Sequence, residues 1–338
     1  MILAAEGSGG LVRRQRGAGP TVIDLFSGAG LFSLAFRHEG YRLEAAYEFD
    51  RVAAATYRLN FRDRVTVADL GALPPTGRCD VIAAGPPCQG FSSIGERRED
   101  DPRNLLCRVV PKWAAHCGAK VAVVENVAGF LQSHAWGLMA ADFEKLGYEV
   151  KAWTLNARDF GVAQNRIRSF TICSRVGLPD LDVLRHSPAR TVREAFADLP
   201  RYPAPEIQHF ARTQSDYAMD RIRRIPPGGD IRDLVDTAPH LVPPSWYRTR
   251  GKVVDIWGRI PWNGVANTVR TGFLNPSRGR FLHPAEDRPI TFREAARLQS
   301  LPDTFRFVGT PQQIARQIGN GVPFNLGRRV ARAVKSLL

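Results

Sequence analysis

Cys88 and Glu125 each come after a run of apolar residues, and they are a candidate nucleophile and a candidate acid. Cys88 lies in Gly-Pro-Pro-Cys-Gln, after the run at residues 79–84, and the two prolines fix the backbone and end that strand. Glu125 directly follows a second run at residues 120–124. We expect both at the carboxyl edge of one sheet, where open α/β sheets bind ligands. A lone cysteine is usually inert packing, but the rigid turn favours a nucleophile. A buried glutamate has a raised pKa and predicts a proton donor.

Two arginines precede a further predicted strand at residues 169–173. Arg166 and Arg168 alternate with Ile167, so both should point to one side of the strand. Paired guanidinium groups bind a phosphate or a carbonyl oxygen. The alternative interpretation is an ordinary solvated strand end.

These groups fit methylation of carbon 5 of cytosine, an atom that is a poor nucleophile in the aromatic ring. Addition of the Cys88 thiolate to carbon 6 makes the ring an enamine, and carbon 5 can then attack an electrophilic methyl group. Glu125 can donate a proton to ring nitrogen 3, and Arg168 can bind the exocyclic carbonyl and hold Glu125. The sequence does not identify the base that removes the carbon-5 hydrogen. The cytosine must leave the stacked duplex to reach these groups.

The beginning of the chain predicts a nucleotide-binding scaffold. A buried strand at residues 21–26 is followed by Ser-Gly-Ala-Gly and by helical spacing from Leu31 to Gly40. Glycines let the backbone approach a ligand, and a helix start offers unpaired N–H groups. The third glycine of the dinucleotide fingerprint is absent, which favours an adenosyl cofactor over a nicotinamide one.

Acidic residues end the next two predicted strands. Glu48 is placed to accept hydrogen bonds from ribose hydroxyls, and Asp69 could accept one from an adenine amino group. Phe49 and Leu70 could sandwich the adenine ring. Either acid alone would be an ordinary surface residue, but two in successive strands after a glycine turn favour a cofactor site.

Composition limits the class of protein. The 338 residues carry a formal net charge of +14, which favours a polyanionic partner and by default nucleic acid, although a GC-rich genome would also enrich arginine. The five cysteines include no CxxC pair, so neither a disulfide framework nor a zinc site is indicated and a reducing cytoplasm fits. No apolar run approaches the ~20 residues of a membrane span, and the first 19 residues lack the apolar core of a signal peptide.

The ordered motifs resemble those of the DNA (cytosine-5)-methyltransferases. The matches span residues 21 to about 330 and occur in the family's order. They are Asp24-Leu25-Phe26-Ser27-Gly28-Ala29-Gly30, Glu48, Asp69, Gly85-Pro86-Pro87-Cys88-Gln89, Glu125-Asn126-Val127, Gln164-Asn165-Arg166-Ile167-Arg168, Arg297-Leu298-Gln299-Ser300-Leu301-Pro302-Asp303 and Gln317-Ile318-Gly319-Asn320-Gly321-Val322-Pro323.

The resemblance implies an α/β, Rossmann-like sheet that uses S-adenosylmethionine as methyl donor. Together with Phe49 and Leu70 from the strand ends, the predicted cofactor residues are Phe26, Gly28, Gly30, Glu48, Asp69, Pro87, Asn320 and Val322. The resemblance also implies a loop after Cys88 that closes over the flipped base, with Gln89 and Ser92 near the DNA. The family often has glycine where this chain has Leu31, for which we expect altered packing but retained cofactor binding.

Composition and the resemblance together predict a division of the chain. We expect a flexible basic tail at residues 1–19, a catalytic and cofactor-binding domain at 20–175, a small target-recognition domain at 176–314 and a final segment at 315–338 that returns to the first domain. The Pro-, Arg- and Gly-rich second domain should read DNA mainly within residues 205–275, and Arg278 is a further candidate DNA contact.

The expected partner is double-stranded DNA, with a cognate restriction endonuclease acting separately, no membrane and a monomeric state. One alternative is a tRNA cytosine-5 methyltransferase on the same scaffold. RNA-acting relatives carry Cys-Phe-Thr in the second half, whereas this chain has no cysteine after Cys173. Another is a DNA-binding protein on a decayed scaffold, which the intact Cys88, Glu125 and Arg168 oppose.

Overall fold

A seven-stranded sheet forms the centre of the molecule. The computed structural model describes residues 19–62, 64–87, 102–181, 187–200, 202–248 and 255–338. The strands are β1 (Thr21–Leu25), β2 (Arg42–Glu48), β3 (Val65–Val67), β4 (Val81–Ala84), β5 (Val121–Val127), β6 (Glu149–Asn156) and β7 (Ile167–Ser174). Their order is β3-β2-β1-β4-β5-β7-β6, and β7 is antiparallel to both of its neighbours whereas the other pairs are parallel. The predicted α/β, Rossmann-like fold is confirmed.

Both faces of the sheet are buried, as the continuous apolar runs of its central strands require. Successive side chains of a strand point to opposite faces. In β4, Val81 and Ala83 therefore belong to one hydrophobic cluster, and Ile82 and Ala84 belong to the other.

Helices cover the two faces of the sheet and build the second half of the chain. In the described part they are α1 (Leu31–His38), α2 (Arg51–Phe61), α3 (Val109–Cys117), α4 (His134–Lys145), α5 (Val192–Phe196), α6 (Asp216–Arg224), α7 (Asp233–Thr237), α8 (Pro244–Arg248), α9 (Phe292–Leu298), α10 (Pro311–Asn320) and α11 (Phe324–Lys335). None of them is long and apolar enough to cross a membrane.

The segment from Pro102 to Cys117 is α-helical only from Val109. Residues Pro102–Arg108 form 3-10 turns before it. Pro111 explains the later start, because a proline lacks the N–H of a helix interior and is tolerated in the first turn, where no intrahelical acceptor is needed.

The last helix lies against the first. Gly327 of α11 packs so closely on α1 that an added Cβ would lie 3.0 Å from the Cβ of Ala35. Glu39, just after α1, accepts hydrogen bonds at 2.8 Å from both Arg328 and Arg332 of α11. The end of the described chain is thereby held on the sheet domain.

The second half of the chain contributes to two different cores. Residues from α5, α9 and α10 pack in the cluster that also contains α1 and α11. A separate cluster is built by apolar residues between Ile222 and Trp257 together with Leu282. Within the described residues, this part of the predicted second domain has a hydrophobic core of its own, whereas α5, α9 and α10 share the core of the sheet.

Candidate active site

Most of the predicted site residues lie at one edge of the sheet. The parallel strands β1, β2, β4 and β5 all end there, which places the Phe26 turn, Glu48, Pro87 and Glu125 along the same edge. Strand β7 runs in the opposite direction, so it begins at this edge, and Arg168 pairs with Val127 across the β5–β7 ladder. A carboxylate and an arginine from distant parts of the sequence are thereby brought together.

Glu125 and Arg168 form a buried ion pair. The Nε atom of Arg168 lies 3.2 Å from Oε1 of Glu125, and Glu125 is only 7% exposed. Apart from this ion pair, Oε1 has no hydrogen-bond donor in the described part of the chain. Burial raises the pKa of Glu125, and the nearby guanidinium groups of Arg168 and Arg166 oppose that rise. The side chain can therefore hold a proton at a pH at which an exposed glutamate has lost it.

The Pro-Pro turn after β4 is fixed from both sides. The N–H of Gly85 donates to the carbonyl of Leu25 at the end of β1, at 3.2 Å. The buried side-chain amide of Asn126, next to Glu125, donates to the carbonyl of Pro86, also at 3.2 Å. Pro87 is partly buried at the end of this described segment. The predicted residues Cys88, Gln89 and Ser92 lie outside the described residues. Pro87, the residue before Cys88 in the sequence, lies at the edge that holds Glu125.

The glycine turn after β1 has an unusual backbone. Phe26 adopts φ 58°, a left-handed conformation that is strained for a side chain of this kind, and Gly28 and Gly30 adopt φ 55° and 93°. A Cβ on Gly28 would have no atom within 4 Å, so protein packing does not require this glycine. A Cβ on Gly30 would lie 2.4 Å from the Phe61 ring. Gly28 therefore leaves open space for a ligand, whereas Gly30 lets α1 and α2 approach each other.

Glu48 connects the glycine turn to the end of β2. Its carboxylate accepts hydrogen bonds from the N–H groups of Gly28 at 2.7 Å and Asp50 at 2.8 Å. Burial raises the pKa of Glu48, although these two donors favour the charged form. The side chain therefore supports the turn directly, in addition to any contact with a ligand.

The two residues predicted to sandwich an adenine ring differ in exposure. Phe49 is 74% exposed, which is unusual for a phenylalanine and leaves a ring face free beside Glu48. Leu70 is only 4% exposed and packs in the hydrophobic core. Asp69 accepts a hydrogen bond from the N–H of Gly71 at 2.8 Å. In this conformation Phe49 offers a stacking surface and Leu70 offers almost none.

Arg166 holds main-chain carbonyls of the last motif. Its Nη2 donates to the carbonyls of Gly319 at 2.7 Å and Gly321 at 3.0 Å, and its Nη1 donates to the carbonyl of Val269 at 3.0 Å. The residue is 1% exposed. The carbonyls that this arginine binds thus belong to the protein itself. Its guanidinium holds the segment with exposed Asn320 and buried Val322, and its catalytic role stays a prediction.

Comparison with known proteins gives the chain its family. Residues 20–336 match the family described as C-5 cytosine-specific DNA methylase. The chain belongs to this family. Among curated relatives, a Type II methyltransferase, M1.HphI of Haemophilus parahaemolyticus, is 35% identical over 93% of this methylase and 86% of the relative. M.AgeI of Thalassovita gelatinovora, also a Type II methyltransferase, is 30% identical over 93% and 98%.

Solved structures agree with this family. A DNA modification methyltransferase encoded within a prophage of E. coli superposes with a TM-score of 0.68 at 25% identity, over 94% of this methylase and 99% of that chain. The Dnmt2 methyltransferase of S. pombe has a TM-score of 0.58 at 18% identity, over 94% and 98%, and shows the fold alone. The methylase acts on DNA and takes its methyl group from S-adenosylmethionine.

Gln164 and Gln299 are buried glutamines for which the sequence analysis gave no role. Both form hydrogen bonds to main-chain groups of other segments. The Gln164 side chain donates to the carbonyl of Leu298 at 2.9 Å and accepts from the N–H of Val269 at 2.8 Å. Gln299 donates to the carbonyl of Ile318 at 2.8 Å. Both residues lie in quoted motifs, but their partners are more than a hundred residues or a helix away, so no local pattern could identify them.

A third group that the sequence analysis left unassigned is buried under the glycine turn. Asp24 accepts a 2.6 Å hydrogen bond from the hydroxyl of Ser33, which also contacts Tyr57 at 2.9 Å. Burial, with a contribution from the nearby Glu48, raises the pKa of Asp24 to about 7. The signal available in the sequence was an acid inside an apolar strand, where charged residues are rarely buried without a partner.

Replacing Arg166 with lysine should weaken cofactor binding more than it slows chemistry. One ammonium group cannot reproduce a planar fork that donates to three carbonyls, so the segment around Asn320 should loosen. We expect affinity for S-adenosylmethionine to fall about tenfold, since hydrogen bonds from a charged donor contribute about 1.5–3 kcal/mol each and lysine keeps some of them. Isothermal titration calorimetry measures this change.

Arg175→Lys is the matched control for that substitution. Arg175 follows the same strand but donates to a single carbonyl, that of Leu146, from an exposed position. Its substitution should leave cofactor affinity unchanged. Equal affinity for the cofactor in Arg166→Lys and wild type would contradict the positioning role.

Proposed function

We propose that this methylase transfers the methyl group to carbon 5 of a flipped cytosine in a specific duplex sequence through a transient bond from Cys88. The Glu125–Arg168 pair supports the proposal, because it offers a proton donor and a guanidinium at the edge where Pro87, the residue before Cys88 in the sequence, lies. Pairing with arginine alone would favour the charged form of the carboxyl group. The burial of Glu125 instead favours its neutral form, which is the form that can donate a proton.

Cys88, Glu125 and Arg168 each have a separate role in the proposed reaction. The Cys88 thiolate bonds to carbon 6, and the displaced ring electrons reach nitrogen 3, which takes the proton of Glu125. Arg168 keeps Glu125 in place and binds the exocyclic oxygen of the base. Carbon 5 would then take the methyl group as its bond to the sulfonium breaks and a neutral thioether leaves. A base removes the carbon-5 proton, the returning electrons expel the Cys88 thiolate, and nitrogen 3 gives its proton back to Glu125.

The residues around the glycine turn fit S-adenosylmethionine. When bound, this cofactor supplies a methyl group activated by its sulfonium. Gly28, with open space where a Cβ would stand, lets the ligand approach the backbone, and exposed Phe49 gives a face for its adenine. Glu48 and Asp69 are placed for the ribose and the adenine amino group. Phe26, Pro87, Asn320 and Val322 complete the proposed pocket, whereas Gly30 and Leu70 support it through packing.

DNA binding is assigned to the loop that contains Gln89 and Ser92 and to arginines of the second half. In the described part of the chain, these arginines differ in burial and in hydrogen bonding. Arg259 is buried and donates to several carbonyls, including those of Ile222 and Ile225, so it supports the separate core. Arg278 is exposed and its side chain has no hydrogen-bond or ion-pair partner in the described part. Arginines of the second kind are the better candidates for phosphates.

DNA affinity should depend strongly on salt. Each phosphate neutralised contributes a slope of about −0.9 to the plot of log K against log salt concentration. With a net charge of +14, we expect a total slope steeper than about −4. Arg278→Ala should make this slope about one unit shallower, whereas Arg232→Ala should not, because Arg232 pairs with Asp230. Fluorescence anisotropy between low and physiological salt measures the slopes, and a slope near zero for the wild type contradicts the assignment.

Methyl transfer to duplex DNA and to tRNA separates the proposed activity from its rival. Radiolabelled methyl groups should enter bacterial genomic DNA and not tRNA. Mapping methylated cytosines in a host that expresses the protein should give one short sequence context. We also propose that the enzyme is a cytoplasmic monomer that protects DNA from a separate restriction endonuclease. Methyl transfer to tRNA alone would refute the DNA assignment.

A further inference from the structure

Gly321 is not required by its own backbone. It adopts φ −67° and ψ 151°, a conformation open to every amino acid. An added Cβ would nevertheless lie 2.1 Å from Cδ2 of Leu31 and 3.1 Å from its Cγ. The side chain of Leu31, and not the local conformation, keeps this position free of a Cβ.

Leu31 cannot move away at little cost. It begins α1 directly after Gly30, is 2% exposed and belongs to the main hydrophobic cluster. Interiors of this kind are close-packed, so rotating a buried leucine displaces its neighbours. The bulk at position 31 and the missing side chain at position 321 are therefore complementary.

The same short segment is held from two other directions. The Arg166 guanidinium binds the carbonyls of Gly319 and Gly321. On Gly319, an added Cβ would lie 2.4 Å from the backbone nitrogen of Thr271. Residues 319–322 thus lie between Arg166 just before β7, the 269–271 segment and the first residue of α1. Of these three contacts, only that of Leu31 joins the segment directly to the glycine turn.

We propose that Leu31 is a positioning residue for the cofactor. By filling the space beside Gly321, it fixes the distance between the glycine turn and the segment that carries Asn320 and Val322, and it does so without contacting the cofactor. The inference rests on the proposed assignment of Asn320 and Val322 to the cofactor pocket. It predicts that the two positions are coupled energetically and that the coupling is visible in cofactor affinity.

A double-mutant cycle tests the coupling. Gly321→Ala should weaken binding of S-adenosylmethionine at least about tenfold by calorimetry, because the new methyl group displaces Leu31 or the segment. Leu31→Ala removes the obstructing atoms and should weaken binding only a few-fold. Adding Gly321→Ala to Leu31→Ala should then cost less than about twofold more. Independent, multiplicative effects of the two substitutions would overturn the proposal, as would wild-type affinity in Gly321→Ala.

Two controls separate positioning from general stability and from the cofactor assignment. Gly147→Ala places a side chain at φ 79°, in the turn before β6 and against no neighbouring atom, so it should lower the thermal unfolding midpoint without changing affinity for S-adenosylmethionine. Asn320→Ala tests the assignment itself, and unchanged affinity there would reject the pocket without bearing on the Leu31–Gly321 contact. If Gly321→Ala does not fold alone, recovery of folding and cofactor binding in the double mutant supports the proposal, and failure to recover refutes it.

Discussion

Cys88→Ala should abolish methyl transfer to DNA. Without the thiolate, carbon 6 has no covalent partner and carbon 5 stays part of an aromatic ring that does not attack a methyl group. We expect turnover to fall by about 10⁵-fold or more, the scale seen when a covalent nucleophile is removed from an enzyme. Binding of S-adenosylmethionine should be unchanged, because the Pro-Pro turn is fixed by Gly85 and Asn126 independently of the sulfur.

Cys173→Ala is the matched control for that loss. Cys173 is a buried cysteine in β7 that packs in the hydrophobic core. Its replacement should lower stability slightly and leave turnover within a few-fold of wild type. Measurable single-turnover methylation by Cys88→Ala, at a rate near that of this control, would contradict the covalent mechanism.

Glu125→Gln should be the second most damaging change. An amide of the same shape can hydrogen-bond to ring nitrogen 3, but it cannot release a proton to it. General acid catalysis contributes typically about 10²–10⁴-fold, and we expect the single-turnover rate to fall within that range. Affinity for S-adenosylmethionine should not change, since Glu125 is assigned to the base and not to the methyl donor.

The pH dependence of Glu125→Gln gives an independent test. Because burial raises the pKa of Glu125, the wild-type enzyme keeps the proton to a higher pH than an exposed glutamate would. The wild-type rate should decline as pH rises through that raised pKa, where the proton is lost. Glu125→Gln should lack this decline. Glu149→Gln, on the exposed surface of β6, should retain it. A wild-type rate in Glu125→Gln at neutral pH would refute the proton-donor role.

The elements of the sheet could be predicted because each one follows a local rule. Apolar runs with turns after them gave the strands, and the period of two explains why Val81 and Ile82 of β4 face different cores. The ends of those strands placed Glu48 and Glu125 at one edge. Topology alone puts the ends of parallel strands at one edge of the sheet, so these positions can be predicted without knowing how the side chains pack.

The functions of individual side chains depended on distant partners. Arg166 and Arg168 looked alike in the sequence, yet Arg168 pairs with Glu125 and Arg166 binds main-chain carbonyls more than a hundred residues away. Leu70 was predicted to sandwich the adenine ring with Phe49, but core packing covers it. Hydrophobic periodicity reports which face of an element is buried and not which distant residue covers it.

The glycine turn shows the same limit within six residues. Gly28 and Gly30 share a motif and a positive φ, but only Gly28 leaves open space, since Phe61 of α2 approaches Gly30. For Leu31 the sequence predicted altered packing. The structure buries Leu31 against Gly321, a contact that no local pattern indicates.

The covalent bond from Cys88 can be measured directly on DNA in which 5-fluorocytosine replaces cytosine throughout a long random sequence, so that the unknown target is present. Fluorine at carbon 5 cannot leave as the proton does, and the methylated adduct should persist. Mass spectrometry of the digested complex should find the modified base on the peptide that contains Cys88, only when S-adenosylmethionine was added, and never with Cys88→Ala. A wild-type enzyme that methylates ordinary DNA but yields no such adduct, or yields it on another residue, would contradict the account.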